Sequence, residues 1–152
     1  MGQTEDKTMS ADTAAFRHDL NVPTVLQAFI AAESAVAAAG LDHGLLHLVK
    51  LRASQINQCG FCVKMHTKEA RADGETNERL DRLIVWRHVS DFTPREKAAF
   101  AWTEAVTTLS PTADYAPLRA ELRAHFTDAE ASALTAAVAM INLWNRLQVS
   151  AH

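Results

Sequence analysis

Apolar residues recur three and four positions apart along almost the whole chain, and no stretch makes a convincing alternating strand. The pattern predicts an all-α fold, a compact bundle of about seven to eight helices. Residues 1–9 read as a flexible tail, and residues 10–152 as a single helical domain. Ser10 is placed to cap a short first helix through about Leu20. Pro23 starts a second helix that ends at Gly40, with Val25, Phe29, Ala32 and Val36 on one stripe. Asp42 caps a third, with Leu45, Leu46, Val49 and Ile56 as its apolar positions. The pattern restarts near Asn57, and a fourth helix carries both cysteines as far as Gly74. Thr76 opens a fifth, with Leu80, Leu83, Ile84 and Trp86 as core candidates. Thr93-Pro94-Arg95-Glu96 is a capping box with proline at the first helical position, and it begins a sixth helix ending near Ser110-Pro111. A seventh runs from about Tyr115 to His125. Thr127-Asp128-Ala129-Glu130 is a second capping box, opening a long last helix with Leu134, Val138, Ile141, Leu143 and Trp144.

A chain of 152 residues is long enough to fold around one core without metal or disulfide staples. Its composition, 48% hydrophobic and 22% charged, is that of an ordinary globular protein. A net charge of −3, with no basic run, argues against nucleic acid or an anionic membrane surface as a partner. No segment reaches the roughly 18 consecutive apolar residues that a membrane-spanning helix needs. The most apolar stretch, Ala28 to Gly40, is interrupted by Glu33 and Ser34. The polar, acidic start from Met1 to Lys7 lacks the features of a secretory signal, and Glu5 and Asp6 after Gly2 do not fit myristoylation. These features predict a cytoplasmic protein, where thiols are mostly held reduced.

In that setting the two cysteines matter by their placement. Cys59-Gly60-Phe61-Cys62 is followed four residues later by His66. At about 100° per residue, Cys62 lies roughly 60° from Cys59, and His66 roughly 40° from Cys62 and 20° from Cys59, so all three share one helix face. Cys59 falls where a helix is expected to begin. Unpaired N–H groups and the positive dipole end there favour a thiolate, which supplies a nucleophile at neutral pH. His66 is placed to accept or donate its proton. Other readings exist. The cysteines could be buried structural residues. A structural disulfide closing so short a loop would stabilise by only about 2 kcal/mol. Cys59, Cys62 and His66, with His47 from the preceding helix, could hold a metal or serve a sensing role, although the chain offers no second CxxC. A thioredoxin fold is disfavoured because no βαβ pattern surrounds the motif.

The stretch from Leu48 to Arg71, LVKLRASQINQCGFCVKMHTKEAR, closely resembles the core of the alkylhydroperoxidase AhpD-like proteins of the carboxymuconolactone decarboxylase superfamily. The resemblance continues through Gly74-Glu75-Thr76, Trp86-Arg87, Arg95 to Ala99 and Ile141 to Leu147, covering most of the chain from about Leu20 onward. It implies an all-helical homo-oligomer, commonly a trimer or hexamer, without a cofactor. It also implies a peroxidase of peroxiredoxin-like antioxidant activity that reduces a small hydroperoxide or disulfide and is restored by an external dithiol. In that scheme Cys62 attacks, Cys59 resolves and His66 relays the proton, whereas the helix-start argument favours Cys59 as the attacking thiolate. The family usually carries a glutamate twelve residues before the first cysteine, where this chain has His47. A histidine supplies no fixed negative charge. His47 can still hydrogen-bond His66, but it would lower the imidazolium population instead of raising it. Better-studied members carry a histidine between the cysteines, where Phe61 stands here. The lactone decarboxylase branch, a lyase, generally does without a CxxC pair.

Elsewhere, Trp86, Trp102 and Trp144 read as core or subunit-interface anchors. Asn142 and Asn145 read as caps or inter-subunit hydrogen-bonding groups, and Arg52 and Arg87 as partners of Glu69 or Asp81. His18, His43, His88, His125 and His152 are assigned to the surface.

Overall fold

A computed structural model describes residues 12–152. Among them the chain forms α1 (His18–Asn21), α2 (Pro23–Ala37), α3 (His43–Ile56), α4 (Gly60–Ala72), α5 (Asn77–Arg82), a 3₁₀ segment (Leu83–His88), α6 (Pro94–Thr108), α7 (Ala116–Arg123) and α8 (Asp128–Ala151), with no strand. The helix starts follow side-chain chemistry. Asp42 accepts from Leu45 N at 2.9 Å and Thr76 from Arg79 N at 3.3 Å. Both predicted capping boxes form, Thr93 with Glu96 and Thr127 with Glu130. The first helix is the exception. Residues 12–17 are not helical and α1 is a single turn, while Ser10 and the predicted tail lie outside the described residues. Arg17 forms an ion pair with Asp19 there, and nothing apolar in the turn is buried.

Helix α3 lies at the centre, against α4, α6 and α8. Leu48, Val49 and Leu51 of α3 meet Ala99 and Phe100 of α6 and Leu134 and Val138 of α8 in one buried cluster. Helix α2 lies over α8 and buries no residue fully. Its inward line is Leu26, Phe29, Glu33 and Val36, so Val25 and Ala32 of the predicted stripe face outward. Glu33 replaces a hydrophobe on that line because its carboxylate is claimed from two sides, by Lys50 at 2.7 Å and by the Trp144 indole at 3.1 Å. Ile84 is likewise no core residue, being 61% exposed. The 3₁₀ segment advances three residues per turn, so Leu83 and Trp86 point inward and Ile84 and Val85 turn out. No helix among the described residues is long and apolar enough to cross a membrane.

Two polar features fix the core around the cysteines. The first is Glu104 on α6, which accepts from Arg52 Nε at 2.9 Å, the Trp86 indole at 2.8 Å and Arg87 at 3.0 Å. Burial raises its pKa, but these three donors outweigh burial and hold it below the usual carboxylate range. Arg52 and Arg87 therefore share Glu104, not Glu69 or Asp81. The second is the reversal between α3 and α4. Gln58 N donates to Gln55 O and Cys59 N to Ser54 O, a Schellman closure with Gln58 in the left-handed region at φ 55°. Asn57 Nδ2 donates to Asn142 Oδ1 and Asn145 Oδ1, both at 2.9 Å, and Asn145 Nδ2 donates to Ser54 Oγ at 3.0 Å. Asn142 and Asn145 thus join helices within one chain, where the sequence suggested caps or inter-subunit bonds.

Gln58→Gly removes the strain of a side chain in the left-handed region, worth about 1–2 kcal/mol, against a glycine entropy cost of about 0.5–1 kcal/mol. It should raise unfolding stability by up to about 1 kcal/mol in urea titration; a loss of stability would show that the turn is not strained. Glu104→Ala leaves Arg52 half-buried without its carboxylate and the Trp86 N–H unpaired. It should cost about 2–3 kcal/mol by the same measurement.

Candidate functional site

Helix α4 begins at the sulfur chemistry. Cys59 is its N-cap, with extended backbone at φ −85° and ψ 94°, and its Sγ lies 3.3 Å from the backbone N–H of Cys62, which donates to it. A sulfur in this position receives one of the helix's unpaired N–H groups and the positive end of its dipole. Cys59 and Cys62 form a disulfide, with Cα atoms 5.2 Å apart. Each cysteine is 1% exposed. The predicted common face is present: Cys62, His66 and Ala70 are the buried residues of α4, spaced by four.

His66 is 5% exposed. Its Nδ1 lies 3.2 Å from Glu69 Oε2, while its Nε2 is buried without a hydrogen-bond partner. A carboxylate only accepts, so the bond requires the proton on Nδ1, which leaves Nε2 as a free basic lone pair in the neutral ring. Burial pushes the imidazole below its ordinary value of 6.5. Glu69 opposes that shift by charge and hydrogen bond, and Lys50 and His47 add to it. His47 Nδ1 is likewise buried without a hydrogen-bond partner, and a buried nitrogen left bare costs on the order of 1–3 kcal/mol.

His47 on α3 does not hydrogen-bond His66. Its Nε2 lies 2.5 Å from Asp73 Oδ2, just beyond the C-terminal end of α4, and its Nδ1 is 3.8 Å from Glu69 Oε2. Glu69 therefore stands between the two histidines, and Glu69 is the site residue that the sequence reading missed. The available signal was its spacing, three residues after His66 on one helix, where an imidazole and a carboxylate meet. Among the described residues no group of three or more His, Cys, Asp or Glu side chains is arranged to hold a metal ion. Phe61 and Met65 stay 43% and 37% exposed beside the disulfide, and Phe61 stacks on the ring of His152 at 4.7 Å. Trp86 and Trp102 are buried, and Trp144 is half-buried with its edge against Phe29. His43, His88 and His152 are exposed, whereas His18 and His125 are half-buried.

Comparison with known proteins agrees with the all-helical fold. The profile of the carboxymuconolactone decarboxylase family matches residues 23–105, from the start of α2 well into α6. The uncharacterized protein YdfG of Bacillus subtilis is 35% identical over 103 residues, which are 68% of this chain and 70% of YdfG. The crystal structure of a protein of unknown function from Agrobacterium tumefaciens, named as a candidate antioxidant-defence protein AhpD, superposes with a TM-score of 0.86. It is 39% identical, and the match covers 91% of this chain and 94% of that one. The alkylhydroperoxidase AhpD core of an uncharacterized peroxidase-related protein from Ralstonia eutropha is 28% identical with a TM-score of 0.72, over 82% of this chain and 67% of that one. With the all-helical fold and the dithiol in place, this chain belongs to the carboxymuconolactone decarboxylase family as an AhpD-like member.

Proposed function

We propose that the protein is a thiol-dependent peroxidase of antioxidant type, in which Cys59 and Cys62 reduce a small hydroperoxide and His66 handles the proton. The observation that carries this reading is the buried Cys59–Cys62 pair at the start of α4, one turn before an imidazole whose Nε2 is unpartnered. The likeness to AhpD-like proteins supports it.

The chemistry balances as follows. A thiolate of the reduced pair attacks the distal oxygen of the hydroperoxide. The O–O bond breaks, the sulfur becomes a sulfenic acid, and the alkoxide leaves as alcohol after taking a proton. The second thiol, its proton taken by His66, attacks the sulfenic sulfur and expels water, giving the disulfide. An external dithiol then exchanges with that disulfide and is oxidised in its place. The N-cap position of Cys59 supports it as the more acidic thiol, and the family resemblance supports Cys62 as the attacker. A homo-oligomer fits both the resemblance and the apolar surface left open along α1 and α2, where Leu20, Val22, Val25 and Ile30 are exposed.

Treating the fully reduced protein with one equivalent of a small organic hydroperoxide should remove two thiols and about two mass units, as one disulfide requires. Cys59→Ser and Cys62→Ser should each abolish disulfide formation, and the variant that retains the attacking cysteine should trap a sulfenic acid. Slow oxidation with both thiols still titratable would overturn the peroxidase reading. The lowered proton affinity of His66 sets the acid limb of the reaction. The neutral imidazole is the competent base, so the acid limb that depends on His66 should have its midpoint below 6.5. A limb that His66→Ala removes and whose midpoint lies above 6.5 would contradict this assignment.

A further inference from the structure

We propose that Glu69 is the positioning residue for His66: its carboxylate fixes the ring with the proton on Nδ1 and keeps Nε2 bare for the dithiol. This rests on the reading of His66 as the proton-handling group. Glu69 Oε2 lies 3.2 Å from His66 Nδ1 and 3.8 Å from His47 Nδ1, so one oxygen faces both imidazoles. The pairing lies within α4 at a spacing of three, so it does not depend on how α3 and α4 sit against each other. The Glu69 side chain is 48% exposed while that of His66 is 7% exposed. The carboxylate thus touches a buried ring at one end and water at the other, which keeps it hydrated and charged.

The surroundings leave this task to Glu69. On α3, His47 and Lys50 face the ring, and both disfavour the imidazolium. Lys50 is engaged by Glu33 at 2.7 Å. Asp73 is engaged by His47, and its side chain is 53% exposed. On α8, the other helix packed on α4, Arg146 bonds to Asn142 and His152 to Gln148. Among the described residues, Glu69 is the one carboxylate within salt-bridge distance of His66. His47 is held by Asp73 and makes no hydrogen bond to Glu69, so the carboxylate is left to His66.

The test is an NMR titration of His66 in the reduced protein, with ring nitrogens resolved, for wild type, Glu69→Gln, Glu69→Asp and Glu69→Ala. Helicity and thermal unfolding check that each variant folds. The wild-type ring should be protonated on Nδ1 when neutral. Glu69→Gln keeps an acceptor and loses the charge, so the tautomer should persist while proton affinity falls about tenfold, the low end for loss of a neighbouring opposite charge. Glu69→Ala should lose the tautomer preference as well, and Glu69→Asp should retain part of the affinity. An unchanged titration and tautomer in both Gln and Ala variants would overturn the proposal. If the titration moves as expected but the wild-type protein does not consume hydroperoxide, the positioning role stands and the peroxidase reading falls.

Discussion

The place where α4 begins is set by a buried carboxamide. Asn145 is 1% exposed on α8, and its amide cannot reach water. An unpaired amide there would cost on the order of 1–3 kcal/mol. Its oxygen is met by Asn57 and its nitrogen by Ser54, two groups at the end of α3, and the Ser54 hydroxyl passes on to Lys50 O. Asn57 divides its N–H donation between Asn142 and Asn145. These bonds form only if α3 ends there and the chain turns immediately. The turn then places Cys59 at the N-cap of α4, with Cys62 and His66 following on the buried face. Helix α8 thereby holds the dithiol in position although it carries neither cysteine nor His66.

That placement creates an electrostatic conflict. Turning His66 inward removes it from water, and both basic groups that reach it from α3 oppose its protonation. The two cysteines are buried as well, so both sulfurs and the imidazole share a low-dielectric site. A carboxylate is needed at the edge of that site, where it contacts the ring yet stays hydrated enough to remain charged. Glu69 meets both conditions because it projects roughly 60° around α4 from His66: His66 and Ala70 face inward and Glu69 lies on the boundary.

Much of this was legible in the amino-acid order, for identifiable reasons. Caps are local chemistry, so Asp42, Thr76, Thr93 and Thr127 marked helix starts that the structure keeps. The CxxC and its histidine are also local, and helical spacing alone put them on one face. The failures came where tertiary context decides. The line of α2 rotated by a residue because Lys50 and Trp144 both claim Glu33. Ile84 moved to the surface because a 3₁₀ segment changed the period. Asn142 and Asn145 looked like termini or interfaces because their partners, Asn57 and Ser54, lie about 85 to 91 residues away in sequence. The first helix shrank to one turn because nothing covers it.

Glu69 shows a further limit of reading by position. The resemblance directs attention to residue 47, one helix away, and a histidine there suggests that the carboxylate is lost. The structure shows a carboxylate on the other side of the imidazole pair, on the dithiol's own helix. A counter-charge on α3 would reach His66 only as accurately as α3 packs on α4. One on α4 is tied to His66 by the helix geometry itself, whose three-residue spacing varies little. His47 pairs with Asp73 and does not take the Glu69 carboxylate from His66. A histidine at this position is thus compatible with a charged partner for His66, and the absence of the usual glutamate does not by itself imply a disabled site.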